Sequence, residues 1–214
     1  MKKDSRINPI ESQFINFRKW PVESFFEELG LKYLERYFML RNCNSLDLRM
    51  LPPVGIELRP WEETNLDDAA QLTVHAYENI VDREISIHYE SFDGCRNYLR
   101  NIISKLGCGS FVKNASFCAL HLHSKQWIGF VLTSSVSSFN GQIPQVVVSP
   151  VFQGRGIGTH LLIRSIVALS TQQYRTISLS VTAKNKGAVT LYQRLNFNTL
   201  IRFHAAAWSR CGPG

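Results

Sequence analysis

The sequence predicts an α/β fold of the α+β kind, a central mixed but mostly antiparallel sheet flanked by helices. Three apolar stretches at 116–123, 127–135 and 143–149 are joined by connections of a few residues. Links that short close neighbouring strands into an antiparallel meander. The third stretch is followed by a glycine turn, a helix-period segment and a further β-rich run, TISLSVT at 176–182. A crossover of that kind sets 143–149 and 176–182 parallel and right-handed.

Composition bounds the rest. A chain of 214 residues, 44% hydrophobic and 11% aromatic, supports one domain with a substantial core plus an extension. The five cysteines, Cys43, Cys95, Cys108, Cys118 and Cys211, are scattered without a CxxC pair. That argues against a disulfide framework or a metal site and fits a reducing, cytoplasmic setting. No apolar run reaches the ~18 residues of a membrane span, and MKKDSRINPIES lacks a signal-peptide core, so a soluble protein is expected. The net charge of +7 is spread along the chain with no arginine-rich block. It suits an anionic cofactor better than nucleic acid.

Residues 1–19 are polar and without period. A helix is predicted over 21–29, with Pro21 at its first position and Gly30 as its stop, then a strand over 31–40 and a linker to residue 54. This gives an N-terminal extension, 1–54, and a main domain, 55–214. Within the domain, IELRP at 56–60 alternates as a strand. Thr64 and Asp67 have capping-box spacing and open a helix running through Ala76. Residues 78–93 read as irregular and 92–106 as a helix stopped by Gly107. The meander follows, with its second turn containing Asn140-Gly141. After the crossover come a helix over 185–195 and a strand over 197–208. Residues 25–40 also align without gaps on 191–206, sharing leucines at Leu29/Leu195 and Leu34/Leu200 and arginines at Arg36/Arg202. This is either a partial duplication or a chance repeat of a helix-turn-strand unit.

The turn itself carries chemistry. Gln153-Gly154-Arg155-Gly156-Ile157-Gly158 separates the strand from the helix. Glycines there permit positive φ and close approach of a ligand to the backbone. Unpaired N–H groups at the helix start, the helix dipole and Arg155 together suit phosphate oxygens.

Two motifs make the pattern resemble the GNAT superfamily of acyl-CoA-dependent N-acyltransferases over about Gly55 to Trp208. The first is Gln/Arg-x-x-Gly-x-Gly/Ala, met by Gln153, Gly156 and Gly158 directly after Val148-Ser149-Pro150. The second is Asn-x-x-Ala-x-x-Leu-Tyr-x-x-Leu-Gly-Phe, met by Asn185, Ala188, Leu191, Tyr192, Leu195 and Phe197, with Asn196 in place of glycine. The resemblance implies a splayed sheet and acetyl-CoA as cosubstrate. Val146, Val147 and Val148 would pair with the pantetheine arm, and the amides of Gln153, Gly154, Arg155, Gly156, Ile157, Gly158 and Thr159 would hold the pyrophosphate. Asn185 would bond the pantetheine, Pro144 would mark the splay, and Tyr192 would protonate the departing sulfur.

The family's second strand after its last helix is missing, and the strand at 31–40 is expected to fill its slot beside 176–182. Many relatives carry a glutamate base at the start of the strand where this chain has Gln142 and Gln145. Candidate bases are Glu84, Glu90, His121 and His123. Glu78, Asp82, Glu84, Glu90 and Asp93 stand against a single Arg83 in 78–93, the region that covers the family's acceptor site. This implies a cationic amine acceptor, a small molecule or a protein amine; the alternative is a solvated acidic loop. His121 and His123 mimic a metal pair at i, i+2, but no third ligand is apparent and no metal is expected. Two functions follow: transfer of acetyl to a primary amine by direct attack in a ternary complex, or an acyl-CoA-binding module with weak or no turnover. A dinucleotide turn is disfavoured, because the turn follows a meander and no acid ends a strand ~20 residues on.

Overall fold

A computed structural model of the chain describes Phe26 and residues 31–43, 53–84, 86–104 and 108–208, with Glu84 and Trp208 as backbone only. The expected helix at 21–29, apart from Phe26, most of the linker, Gly107 and the first part of the 25–40 repeat lie outside these residues.

Eight strands form one sheet: β1 (Leu31–Asn42), β2 (Ile56–Pro60), β3 (Ser110–Phe111), β4 (Phe117–His121), β5 (Gln126–Ser135), β6 (Asn140–Val148), β7 (Thr176–Thr182) and β8 (Asn198–Trp208). Their order is β2-β4-β5-β6-β7-β1-β8, with the short β3 paired to β5. All pairings are antiparallel except β6 with β7. The expected mixed, mostly antiparallel sheet is therefore present. β1 lies between β7 and β8, pairing Arg36 with Thr182 on one side and with Phe203 on the other. The slot beside 176–182 is thus filled by the N-terminal strand, which runs two residues beyond the expected 31–40.

Helices cover both faces. On one side α1 (Leu66–Tyr77) buries Ala69, Ala70, Thr73 and Ala76, a single stripe of small side chains that lets the helix lie close to the sheet. Beside it α2 (Phe92–Ile103) buries Cys95, Leu99 and Ile102 at i, i+4 and i+7. These pack with Trp61, Phe130, Leu132 and Val147. On the other side α3 (Ile157–Thr171) buries Leu161, Leu162, Ile166 and Leu169 against Ile177, Leu179 and Val181, with Val189 and Tyr192 of α4 (Lys186–Arg194) in the same core. Each such large apolar side chain contributes ~1.5–3 kcal/mol.

Several local expectations need correction. The capping box before α1 is formed by Glu62 and Asn65, Glu62 N donating to Asn65 Oδ1 at 2.9 Å, and not by Thr64 and Asp67. Thr64 lies inside a 3-10 turn, Glu63–Asn65, and Asp67 bonds Arg96 at 2.5 Å instead. Asn140 and Gly141 belong to β6, because Asn140 and Gly141 already pair with Thr176 and Ile177 of the parallel neighbour. α2 ends at Ile103 rather than 106. His123 lies past the end of β4, so the two histidines do not share a strand face; their rings are 6.3 Å apart. Asn196, standing where the family has glycine, takes the expected left-handed conformation at φ 61°.

Candidate functional site

The sheet is interrupted at one place, between β6 and β7. These strands pair only over Asn140↔Thr176, Gly141↔Ile177 and Gln142↔Ser178, and then part. The cause sits in β6. Leu132 of β5 faces Gln145 and Ser134 faces Gln142, so three steps of β6 oppose two of β5, a bulge at Ile143 and Pro144. Pro144 has no N–H to give a ladder.

An extra residue also flips every side chain beyond it. Before the bulge, Gly141 and Ile143 face α3: a Cβ on Gly141 would lie 2.9 Å from Leu169, and Ile143 belongs to that core. After it, Val146 and Val148 pack toward α3 while Gln145 and Val147 face α1 and α2. One edge of residues 146–148 remains bonded to β5, and the edge toward β7 is open.

At the end of β6 the chain makes a 3-10 turn, Pro150–Phe152, and enters the glycine turn. Gly154 and Gly156 adopt φ of 75° and 80°. A Cβ at either would meet nothing within 4 Å, so backbone conformation rather than crowding requires glycine there. Gly158 is helical and has room for a methyl group, Val148 and Leu191 being 3.6 Å from a Cβ built on it. Among the described residues, none of the N–H groups of 154–159 donates to a backbone carbonyl; the first bond of the helix is His160 N to Gly156 O at 3.0 Å. Six consecutive amides at the start of a fifteen-residue helix are therefore free for an anion. Gln153 fastens the turn to the strand through Nε2 donating to Val148 O at 3.1 Å. Arg155 lies over Phe152, 5.2 Å from its ring centre.

Across the gap, Asn185 caps α4, its Oδ1 accepting from Ala188 N at 3.1 Å and leaving Nδ2 to donate elsewhere. The Asn-x-x-Ala spacing is thus also that of a helix N-cap. Tyr192 projects from α4 with only 8% of its surface exposed and packs edge-on to Phe197. Its hydroxyl bonds to no group among the described residues, yet it is not enclosed. Burial raises this phenol above its ordinary range, Tyr77 and Asp82 raise it further, and Arg36 opposes them.

The face of the gap lined by α1 and α2 holds a polar cluster that sequence reasoning did not assemble. Gln145 is 3% exposed and engaged at both ends of its amide: Tyr89 donates to its Oε1 at 3.2 Å and its Nε2 donates to Tyr77 at 3.1 Å. Tyr77 and Tyr89 stack with centroids 3.9 Å apart. Beside them Asp82 Oδ1 accepts from Thr182 at 2.5 Å, with Arg36 at 4.0 Å.

The candidate bases do not gather here. Glu90 is exposed at the end of the 3-10 turn Ile87–Glu90, and Glu84 ends another, Val81–Glu84. His121 bonds Ser124 at 2.8 Å and packs on Phe152, toward the glycine turn and away from the tyrosines. No group of three potential metal ligands occurs among the described residues. No helix among them is long and apolar enough to cross a membrane.

Burial also sets a pH limit on the cluster. It pushes the Tyr98 phenol up to about 12 and holds Tyr77 and Tyr89 above their usual range. In the unfolded chain these groups ionise near ~10, so the native state keeps protons that the unfolded state has released. Stability is therefore full below pH ~10 and is lost as pH rises through the folded values. Urea midpoints are expected to fall between about pH 10 and 12, and less steeply for Tyr98→Phe. A flat profile would contradict phenols that the fold holds neutral.

The profile of the Acetyltransferase (GNAT) family matches residues 77–197, more than half of the chain. An uncharacterized N-acetyltransferase of Methanocaldococcus jannaschii is 30% identical over 145 residues, 65% of this chain and 59% of that protein. The N-alpha-acetyltransferase MAK3 of Arabidopsis thaliana is 32% identical over 83 residues, 37% of this chain and 44% of that protein. The chain therefore spans about half the length of these relatives. Among solved structures, a GCN5-related N-acetyltransferase from Sphaerobacter thermophilus superposes with a TM-score of 0.63 at 20% identity, over 87% of this chain and 55% of that one. A ribosomal-protein alanine N-acetyltransferase of Escherichia coli does so at 0.53 and 20% identity, over 73% of this chain and 96% of that one. A parted β6–β7 edge, an amide-lined glycine turn and a profile match that spans both place the chain in the GNAT acetyltransferase family.

Proposed function

We propose that this chain is an N-acetyltransferase that moves the acetyl group of acetyl-CoA to a primary amine by direct attack in a ternary complex. The observation that carries the proposal is the parting of β6 from β7 beside six free amides, with a tyrosine hydroxyl across the gap. The open edge of Val146, Val147 and Val148 suits the amide-bearing pantetheine arm, which adds to the sheet as a strand would. The amides from Gly154 to Thr159, with Arg155, suit the pyrophosphate, and Asn185 Nδ2 suits a pantetheine carbonyl. Tyr192, neutral through most of the alkaline range, is fit to give its proton to the departing thiolate. Holding both substrates in one gap supplies most of the acceleration.

The acceptor is a cationic amine, either a small molecule or a protein amine. The acidic residues of 78–93 favour a cation, and the names of the Arabidopsis and Escherichia relatives speak of protein amines. A second reading, an acyl-CoA-binding module without turnover, is favoured by Gln142 and Gln145, neither of which can accept a proton, in the neighbourhood where the family resemblance expects a glutamate base.

Calorimetric titration with acetyl-CoA and with NAD, followed by thiol release over an amine panel, separates the readings. Micromolar acetyl-CoA binding with amine-dependent thiol release is expected. Binding without release supports the module, and NAD binding alone defeats both. Gly156→Val forces a branched side chain to φ 80°, at ~1–2 kcal/mol or more, and is expected to weaken acetyl-CoA binding about tenfold.

A further inference from the structure

Gln145 leaves the reaction without an obvious proton acceptor, and the gap contains one. Asp82 is the only buried carboxylate among the described residues, 9% exposed. Both of its contacts end on one oxygen: Thr182 Oγ1 donates to Oδ1 at 2.5 Å, and Arg36 Nη2 lies 4.0 Å from the same atom. Oδ2 accepts no hydrogen bond from the described residues, and it is not enclosed. Thr182 is the last residue of β7, at the wide end of the gap, on the face opposite the core that holds Leu179 and Val181. The Asp82 charge is felt by Tyr77, which is bonded to Gln145 of β6, and by Tyr192 of α4. Bonded to Thr182, it stands at the wide end of the gap on the face opposite the α3 core that the glycine turn leads into, where an acceptor must enter if the cofactor lies along β6.

We infer that Asp82 takes the ammonium proton of the acceptor amine through Oδ2, and that β1 serves this step by supplying Arg36, which with Thr182 fixes the carboxylate. The inference rests on the N-acetyltransferase reading above. The charged and titratable groups around Asp82 are Arg36 of β1, Tyr77 of α1, Tyr98 of α2, Tyr192 of α4 and the neighbouring Arg83. The tyrosines are neutral at pH 7, so Arg36 and Arg83 are the only formal charges beside it among the described residues. Arg36 Nε is buried without a hydrogen-bond partner among the described residues, so the guanidinium approaches the carboxylate through Nη2. Arg36 is a positioning residue, and Asp82 a catalytic one.

The step balances without any further reagent. The ammonium gives one proton to Asp82 and becomes a nucleophile. Its lone pair forms the C–N bond at the thioester carbon, the C–S bond breaks, and the thiolate takes the Tyr192 proton. The second nitrogen proton returns to Tyr192, and Asp82 releases its own to water.

The test uses the full chain with acetyl-CoA and, as acceptors, spermidine, L-lysine, an alanine-leading hexapeptide and hydroxylamine, which is already neutral at pH 7. Asp82→Asn keeps the shape and the Thr182 contact. Its kcat/KM is expected to fall about 100-fold or more with the best cationic amine and less than about 10-fold with hydroxylamine, at unchanged acetyl-CoA affinity. Arg36→Met is expected to lower kcat with the cationic amine about tenfold at unchanged acetyl-CoA KM, and Arg36→Lys to restore it. Equal activity of Asp82→Asn and wild type on the amine overturns the inference. So does an equal loss with amine and hydroxylamine, or wild-type turnover of hydroxylamine alone. If wild type releases no thiol with any acceptor, the N-acetyltransferase reading itself falls.

Discussion

A chain lacking residues 31–42 is expected to lose cooperative unfolding altogether. Among the described residues β8 has no sheet neighbour except β1, and β7 has β1 along Thr176–Thr182 but β6 only over its first three residues. Deleting β1 therefore strips one side of β7 and detaches β8. The deletion also removes Leu34 and Met39, 4% and 0% exposed, each worth ~2–5 kcal/mol as a buried side chain. Arg41 goes too; its guanidinium bonds the Leu195 carbonyl at the end of α4 and is 1% exposed. Ladder hydrogen bonds add ~0.5–1.5 kcal/mol each. The sum exceeds the ~5–15 kcal/mol that separates most folded domains from unfolded chains. Urea unfolding followed by circular dichroism checks this. A sharp transition with an unchanged m-value would mean that β1 is an accessory to the sheet. Met39→Ala, the milder form, is expected to lower stability by ~2–4 kcal/mol with cooperativity retained.

That expectation follows from a feature legible in the sequence by subtraction. The resemblance calls for a further strand beside 176–182, and LKYLERYFML is a β-rich segment outside the run of elements that the resemblance covers. The elements themselves were legible where hydrophobic period is strong, as in β5 and α3. Boundaries slipped where a local choice depended on a distant partner: Asn140 and Gly141 look like turn residues, yet the parallel neighbour β7 draws them into β6. The glycine turn was legible because positive φ leaves a compositional mark. The polar cluster was not. Tyr77, Asp82, Tyr89, Gln145 and Thr182 come from α1, two 3-10 turns, β6 and β7, and no spacing in the chain relates them. Asp82 was visible only as one of five acids between residues 78 and 93, and burial alone distinguishes it from exposed Glu78 and Glu90. The bulge had one sequence signal, Pro144, and its consequence, the flip that turns Gln145 to the α1 and α2 face, needed the register of β5.

Tyr192→Phe is expected to leave the fold and the acetyl-CoA affinity nearly intact while lowering kcat by ~10²–10⁴. The first half follows from packing. The ring is in the core against Phe197, and phenylalanine preserves it; the hydroxyl has no protein partner among the described residues, so removing it breaks no hydrogen bond in the free protein. The second half follows from the proton. A thiolate leaving without a donor must be expelled as an anion into a gap lined by tyrosines and apolar side chains, where an unpaired charge is costly. Because burial, Tyr77 and Asp82 all raise the phenol, the wild-type donor stays protonated past the ordinary tyrosine value, so the alkaline limb of kcat lies above about pH 10. In Asp82→Asn one of the groups raising it is gone, and that limb is expected to move to lower pH. A wild-type kcat that already declines between pH 8 and 9, or Tyr192→Phe with activity within about fivefold of wild type, would remove Tyr192 from the proton path and leave positioning in the β6–β7 gap as the source of rate.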